Sequence, residues 1–442
     1  MSLFTTMNVA TSGLGASSSS LSVIGDNIAN IGTTGYKANR TEFADQLPQN
    51  VYGSAGISQL GTGTGMTRIS TLFGQGSITS SENALDMAIG GDGFFVVADG
   101  VSDYYTRAGE FYLDDEGFVI SAEELNLQGY NATNGTLGAT LGDLQNDPNS
   151  LAPAETEALV MSANLSADAD FATTPVAGLT LTTGTGDTIE DASDQADFAT
   201  SVTVYDTLGV AHEVTLVFER TGTNDWDWYA LTDAGETEIT ALGGTGTDGA
   251  AYQISGGSLT FDTSGNLTTF TQTDVTGWNF EGASANPAYT YDFGIDTAGT
   301  ATDGQVRMNN GDSAVTAITQ DGYGTGVLLS LDVDTDGVIT GSYSNGEELT
   351  MGQVALARFQ SNQGLDRVGG NLYRETVDSN SPAVGAPDTG GRGTIAGNAL
   401  EESNVDLEEQ FVHMITSQRS YQANARVVNT ANETLQELVN LV

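Results

Sequence analysis

The stretch Leu407-Glu-Glu-Gln-Phe-Val-His-Met-Ile-Thr-Ser-Gln-Arg-Ser-Tyr-Gln-Ala-Asn-Ala-Arg-Val-Val-Asn-Thr-Ala-Asn-Glu-Thr-Leu-Gln-Glu-Leu-Val-Asn440 decides the fold. Leu407, Phe411, Met414, Gln418, Tyr421, Ala425, Val428, Asn432, Leu435, Val439 and Val442 alternate steps of four and three, a heptad seam interrupted by Gln418 and Asn432. The other end matches it. Leu3, Met7, Ala10, Leu14, Ser17, Leu21, Ile24, Ile28 and Ile31 keep the same steps, so the periodicity predicts a helix at each terminus. At ~1.5 Å per residue the two seams run roughly 40 and 50 Å, long enough to lie along each other or along copies of themselves. Gly13, Gly15, Gly25 and the serines 17–20 weaken the first helix, which therefore needs neighbours to be ordered. Self-association is favoured over a simple intramolecular hairpin.

Between these ends the period changes to two. Phe111-Tyr-Leu-Asp-Asp-Glu-Gly-Phe-Val-Ile120 reads as a hairpin, as do residues 261–267 and 331–339, and residues 202–231 read as a three-strand meander. In the meander Val214, Leu216 and Phe218 share one face, with Glu213, Thr215 and Glu219 on the other, which predicts a half-buried antiparallel sheet. Gly/Thr/Ser-rich runs at 53–65 and 382–397 read as connectors that could bend. The fold class is therefore α+β, mostly β, with terminal heptad helices enclosing nested antiparallel β domains. The expected division is a helical coiled-coil core from 1–34 with 400–442, a connector over 35–85, an inner β domain from 86–146 with 322–399, and an outer β domain over 147–321.

Composition narrows the function. The chain has 442 residues, 58 Asp+Glu against 12 Lys+Arg, a net charge of -46 and 56 glycines. Residues 46–399 carry -40 of that charge. A polyanionic nucleic acid would be repelled. With no Cys there is no disulfide, thiolate nucleophile or Cys-ligated zinc. No window approaches the ~18 apolar residues of a membrane span, and no basic-then-apolar leader opens the chain, so membrane insertion and a cleaved signal are not expected.

Candidate chemistry is sparse. Asp332, Asp334, Asp336 and Gly337 copy the opening of an EF-hand loop, but position 12 is Tyr343 and the flanks read as strands, so a hairpin turn is the simpler reading. Gly243-Gly-Thr-Gly-Thr-Asp248 is a single copy of a motif that binds calcium only when stacked. His212 and His413 have no triad or ligand partners at useful spacing. The glycine runs at 61–65 and 322–326 lack the lysine and helix of a phosphate loop. Trp226, Trp228, Tyr229 and Trp278 could line a sugar groove, although Trp226 and Trp228 share a strand face and are more simply core. No catalytic, cofactor or metal site is expected.

Two terminal motifs resemble the axial proteins of the bacterial flagellum, the family of rod, hook and hook-associated proteins. The first is Ser12-Gly-Leu-Gly-Ala16 with Leu21-Ser-Val-Ile-Gly-Asp-Asn-Ile-Ala-Asn-Ile-Gly-Thr-Thr-Gly-Tyr-Lys37, in which Asn27, Ile28, Ala29, Asn30, Gly35, Tyr36 and Lys37 carry the likeness. Asp26 stands where the family commonly has Asn, a change expected to be tolerated at a solvated turn. The second is Ala399 to Leu407, with Asn404, Val405 and Asp406, followed by Gln418-Arg419-Ser-Tyr421-Gln-Ala-Asn424 and Leu438 to Leu441. Residues 105–109, 127–130, 343–346 and 352–357 are similar to the family's inner β domain, and 204–218 with the Trp226 region to an outer domain found in some members. Much of residues 131–200 and 232–320 carries no motif that aligns.

The resemblance implies many copies in a curved hollow tube outside the cell, passing torque from rod to filament while bending. It implies export through the flagellar type III apparatus, with the distal rod protein, a cap and junction proteins as neighbours along the axis. The seam residues expected to make the assembly interface are Leu14, Leu21, Ile24, Ile28 and Ile31 with Phe411, Met414, Tyr421, Val428 and Leu435. A distal rod protein is the alternative within the family, although the inserted outer domain counts against it. A secreted glycan-binding or calcium-dependent adhesin is the alternative outside it.

Overall fold

The computed structural model describes residues 3–53, 56–133, 135–145, 151–171, 176–283 and 289–440. The chain forms two compact units, one of Met1–Pro148, Leu329–Ser342 and Glu348–Val442, the other of Asn149–Leu328 and Tyr343–Glu347. Its helices are α1 (Leu3–Ala29), α2 (Ile189–Gln195) and α3 (Leu407–Asn440). Val442 lies outside the described residues, as do the side chains of Leu3, Leu438 and Val439. α1 stops two residues short of Ile31, which stands in the following turn at 39% exposure, so it does not extend the helical seam. The stop is local. Asn30 returns both its backbone N–H and its side-chain amide to the Asp26 carbonyl, and glycines follow at 32 and 35.

In the first unit the strands are ordered 328–333, 338–343, 348–354, 126–133, 94–98, 103–106, 372–374 and 366–369 across the sheet. Phe94–Ala98 is buried throughout. Phe94 and Val96 join Tyr105, Phe359 and Tyr373 in one cluster, while Phe95 meets Phe111 edge to face at 5.2 Å. Parts of the glycine-rich runs, and the segments beside them, are paired strands. Gln49–Gly53 pairs with Gly56–Leu60, Thr64–Thr71 with Asn39–Asp45, Ala383–Gly385 with Leu356–Arg358, and Thr394–Gly397 with Met87–Gly90. Threonine and valine among the glycines suit a pleated surface, and neighbouring strands supply the ladder.

The second unit is a sandwich. One sheet holds the expected meander, Phe198–Tyr205, Ala211–Arg220 and Asp225–Asp233, continued by Ala251–Phe261 and Leu267–Phe270, all antiparallel. The other centres on Ala158–Ser166, which pairs antiparallel with Ala314–Gln320 but parallel with Thr290–Asp292 and Gln305–Asn309. More than a hundred residues separate the parallel partners, ample chain for the crossover that such pairs require. Between the sheets lie Leu159, Met161, Leu165, Phe218, Trp228 and Phe293.

The meander departs from the half-buried reading. Glu213 is exposed, but Thr215 is buried and Glu219 is 1% exposed. A second apolar layer explains it: Val176, Leu181 and Ala192 of α2 cover Val217, Leu231 and Ala251 on the face expected to be wet. Residues 176–192 carry no strand period, so the sequence hid this cover.

Acidic turns repeat through both units. Asp206, Asp262, Asp296 and Asp334 each take the backbone N–H groups two and four residues on, and a glycine at the third position after each has a φ between 73° and 79° or at 83°. A carboxylate thus does the work of a turn hydrogen bond, and glycine supplies the left-handed step that closes the hairpin. The EF-hand-like run is one of these turns, with the Asp334 carboxylate occupied by Asp336 and Val338 N–H.

Candidate functional site

The two terminal motifs converge in the first unit. α1 and α3 run antiparallel: the Ser20 and Ser417 hydroxyls meet at 3.2 Å, and Asn27 Nδ2 donates to Gln410 Oε1 at 3.1 Å. A Cβ on Gly13 would stand 2.6 Å from Asn424 Nδ2, so any larger residue there would have to displace the Asn424 side chain from the seam. Nearer the free ends Thr6 and Ala431 line a common depression. One column of this seam, Thr6, Gly13, Ser20 and Asn27 facing Gln410, Ser417, Asn424 and Ala431, is therefore small or polar throughout.

The large apolar side chains fall elsewhere. Of the expected interface residues only Ile24 is buried, at 6% exposure; Leu14, Leu21, Ile28, Met414, Val428 and Leu435 are half-buried. Phe411 and Tyr421 are 47% and 43% exposed, and Phe4, Val412 and Ile415 are more so. The intramolecular contact thus leaves much of the apolar stripe uncovered, against the usual burial of such residues. Gln418 and Arg419 are also exposed.

Below the hairpin the motif residues build a buried polar knot. Asn27, 1% exposed, accepts Asn39 N–H at Oδ1 and donates to the Asn39 carbonyl, both at 2.8 Å. Tyr36 donates to Asp26 Oδ2 at 3.0 Å and receives Asn39 Nδ2 at 3.1 Å. Asp26 is thus an exposed hydrogen-bond acceptor in the last turn of α1. Asn404 accepts Ala38 N–H and donates to the carbonyls of Leu72 and Gly74, tying the two chain ends together. Val405 packs on Tyr36 and Ala38. Asp406 takes the N–H groups of Glu408 and Glu409 and so caps α3. Gly35 N–H reaches the Glu401 carbonyl at 2.7 Å, and Ala29 and Asn30 close α1.

Lys37, the only lysine, is at the centre. Its Nζ lies 2.6 Å from Glu401 Oε1, with both side chains fully buried, and also donates to the Gly74 carbonyl at 2.8 Å. Gly76 N–H and Arg107 Nη1 complete the Glu401 carboxylate at 2.8 and 3.3 Å. Arg107 also donates to the Gly91 carbonyl and lies over the Phe94 ring. Burial pushes the Lys37 amine below its ordinary range, with Glu401 opposing the shift, and the Arg107 guanidinium is lowered for the same reason. The motif stretches contain Lys37, Glu401 and Arg107, but the motifs do not reveal that the three meet. The rarity of lysine in so acidic a chain was the available signal, because a lone cation kept among carboxylates is expected to have a specific partner.

The other candidates have structural explanations. Trp226, Trp228 and Trp278 are 0%, 0% and 2% exposed, so they offer no sugar-binding face. His212 stacks on Phe280 at 3.7 Å, between Asp206 at 3.2 Å and Glu236 at 3.1 Å. His413 is exposed beside Glu409. Among the described residues no group of three or more His, Cys, Asp or Glu is arranged to hold a metal, and no helix is long and apolar enough to cross a membrane.

Comparison with known proteins matches this arrangement segment by segment. Four family profiles match: flagella basal body rod protein over residues 7–37, flagellar hook protein FlgE/F/G D1 domain over 88–160, flagellar basal body protein FlaE D2 domain over 164–323, and flagellar basal body rod FlgEFG protein C-terminal over 396–441. The chain is 33% identical to flagellar hook protein FlgE of Escherichia coli K12 over 98% of both chains. It is 33% identical to that of Rhizobium meliloti over the whole of both, and 30% identical to that of Borreliella burgdorferi over 97% of this chain and 98% of that one. The crystal structure of Helicobacter pylori flagellar hook protein FlgE2 shares the fold, with a TM-score of 0.53 at 16% identity, covering 73% of this chain and all of that one.

Proposed function

The chain belongs to the flagellar hook protein family, and we propose that it is the repeating subunit of a curved hollow tube that passes torque from rod to filament as a universal joint. It acts as a structural subunit without catalysis. The observation that carries this reading is the uncovered part of the apolar stripe of α1 and α3: a seam of Gly, Ser, Asn and Gln joins the helices, while Phe4, Phe411, Ile415 and Tyr421 stay exposed and Leu14 and Leu21 only half-buried. Copies cover those residues with one another. In this reading residues 1–34 with 400–442 form the inner tube and 35–85 connect it to the inner β domain of 86–146 with 322–399. Residues 147–321 form the outer domain.

The subunit reaches the cell exterior through the flagellar type III export apparatus. It adds beneath a hook cap and meets the distal rod protein at one end and hook-filament junction proteins at the other. The -40 of residues 46–399 makes packed copies repel at low salt, where screening extends over roughly 30 Å at ~10 mM. Tubes are therefore more stable at ~500 mM salt. Leu21→Asp tests the central claim: electron microscopy and sedimentation should find no tubes, with β-sheet melting unchanged. Intact tubes from that variant would refute it.

A further inference from the structure

We propose that residues 401–404 are a clasp that makes the ordering of the helical hairpin and of the 35–77 segment a single event. The coupling lies within one copy and needs no tube. Its centre is one carboxylate. Glu401, 0% exposed, receives Lys37 Nζ and Gly76 N–H on Oε1 at 2.6 and 2.8 Å, and Arg107 Nη1 on Oε2 at 3.3 Å. Among the described residues it is the only acid paired with either cation. Backbone bonds close the rest: Gly35 N–H donates to the Glu401 carbonyl at 2.7 Å, Glu402 N–H to the Ser77 carbonyl at 2.8 Å, and Asn404 N–H to the Tyr36 carbonyl at 3.3 Å. A Cβ on Gly76 would stand 2.0 Å from the Glu402 carbonyl oxygen, so the two segments meet backbone to backbone.

Without Glu401, Lys37 and Arg107 would be two buried cations left with the Gly74 and Gly91 carbonyls and the Phe94 ring. Arg107 Nε already has no partner. A buried charge stripped of its counter-ion is strongly unfavourable, so a half-closed arrangement is scarcely populated. The segment is either clasped or open.

The clasp is tied to both helices. α3 starts at Leu407, directly beyond it, and Asp406 between them caps that helix. Asn27 of α1 donates to Gln410 of α3 and also holds both backbone groups of Asn39. Farther up α1, Ser12 Oγ accepts Thr64 N–H at 3.2 Å, so the same helix steadies the ribbon of strands 39–45 and 64–71 at a second point. Parting the helices therefore pulls on the clasp, and opening the clasp frees the base of the hairpin. The ribbon's exposed Phe43, Met66 and Ile69 are held in one arrangement only when both are closed.

The composition supplies separate readouts. Lys37 is the only lysine, so acylation of a single side-chain amine, located by peptide mass, reports the clasp. All three tryptophans, Trp226, Trp228 and Trp278, belong to the second unit, so their emission reports that unit alone. In a concentration series on the full-length chain, helical ellipticity and protection of Lys37 should rise with one midpoint. Where the natural chain is closed, Glu401→Gln should lower helix content and speed Lys37 acylation by about tenfold or more, with tryptophan emission unchanged. Gly13→Pro breaks α1 far from the clasp and should expose Lys37 as well, since coupling is reciprocal. Exposure of Lys37 by Glu401→Gln with both helices intact overturns the clasp, as does loss of the helices by Gly13→Pro with Lys37 still protected. Separate midpoints in the natural chain, or a chain that never closes, overturn it too. Sedimentation scores tubes independently, so a chain that closes without forming tubes sinks the tube reading and leaves the clasp standing.

Discussion

The sandwich of the second unit and the helical hairpin of the first use apolar residues in opposite ways. In the sandwich Trp226, Trp228, Phe218 and Phe280 are all fully buried, and a second layer covers even the far side of the meander. In the hairpin the contact is made by glycine, serine and amides, while phenylalanine and tyrosine stay at the surface and the seam leucines are only half-buried. One region is complete as a single chain. In the proposed tube the other is completed by another molecule, because a small seam allows close approach without using up the large side chains.

Four substitutions would sharpen or break that contrast, read as thermal or denaturant stability of the unassembled chain. Trp228→Ala empties a dry core and removes the bond to the Thr271 carbonyl, so it should cost about 3–5 kcal/mol. Lys37→Met leaves Glu401 buried with one cation fewer and should cost about 3 kcal/mol, more than any substitution on the outer faces of the helices. Glu219→Gln should act in the other direction. Burial and nearby Asp227 and Asp197 raise that carboxyl, whose Oε2 accepts Val176 N–H while its Oε1 has no partner. A raised pKa means that the folded state keeps its proton longer than the unfolded chain, so stability from this group is greatest below the unfolded value of about 4.3 and falls as pH rises through the folded value. The amide variant should therefore gain about 1 kcal/mol at pH 7 and less at pH 4, measured as paired melting curves. Leu14→Ala should change stability by only about 0.5 kcal/mol while still weakening assembly. A loss near that of Trp228→Ala would show that the hairpin is a finished core after all.

The legible parts of the sequence were those with a period. Both terminal helices, the hairpins at 111–120 and 331–339 and the meander follow from steps of three and four or of two. The partner face of the helices did not follow. Leu14, Leu21 and Phe411 mark an apolar stripe, whereas the observed contact runs through Gly13, Ser20 and Asn27, which hydrophobic periodicity scores as background. The Lys37–Glu401 pair joins residues 364 positions apart, and one carboxylate among 58 cannot be singled out by spacing. The cover over Glu219 likewise comes from a segment whose loop-like composition conceals its packing.

The aspartate-closed turns decouple shape from electrostatic potential. At Asp262 and Asp296 the carboxylate is held below the usual range chiefly by backbone N–H donors. Asparagine offers the same acceptor oxygen without the charge. A lineage could therefore lower the negative charge of such a protein one turn at a time, with every hairpin kept. Salinity of the surroundings could be tracked by exchanging Asp and Asn at fixed positions while the mechanics of the tube stayed the same.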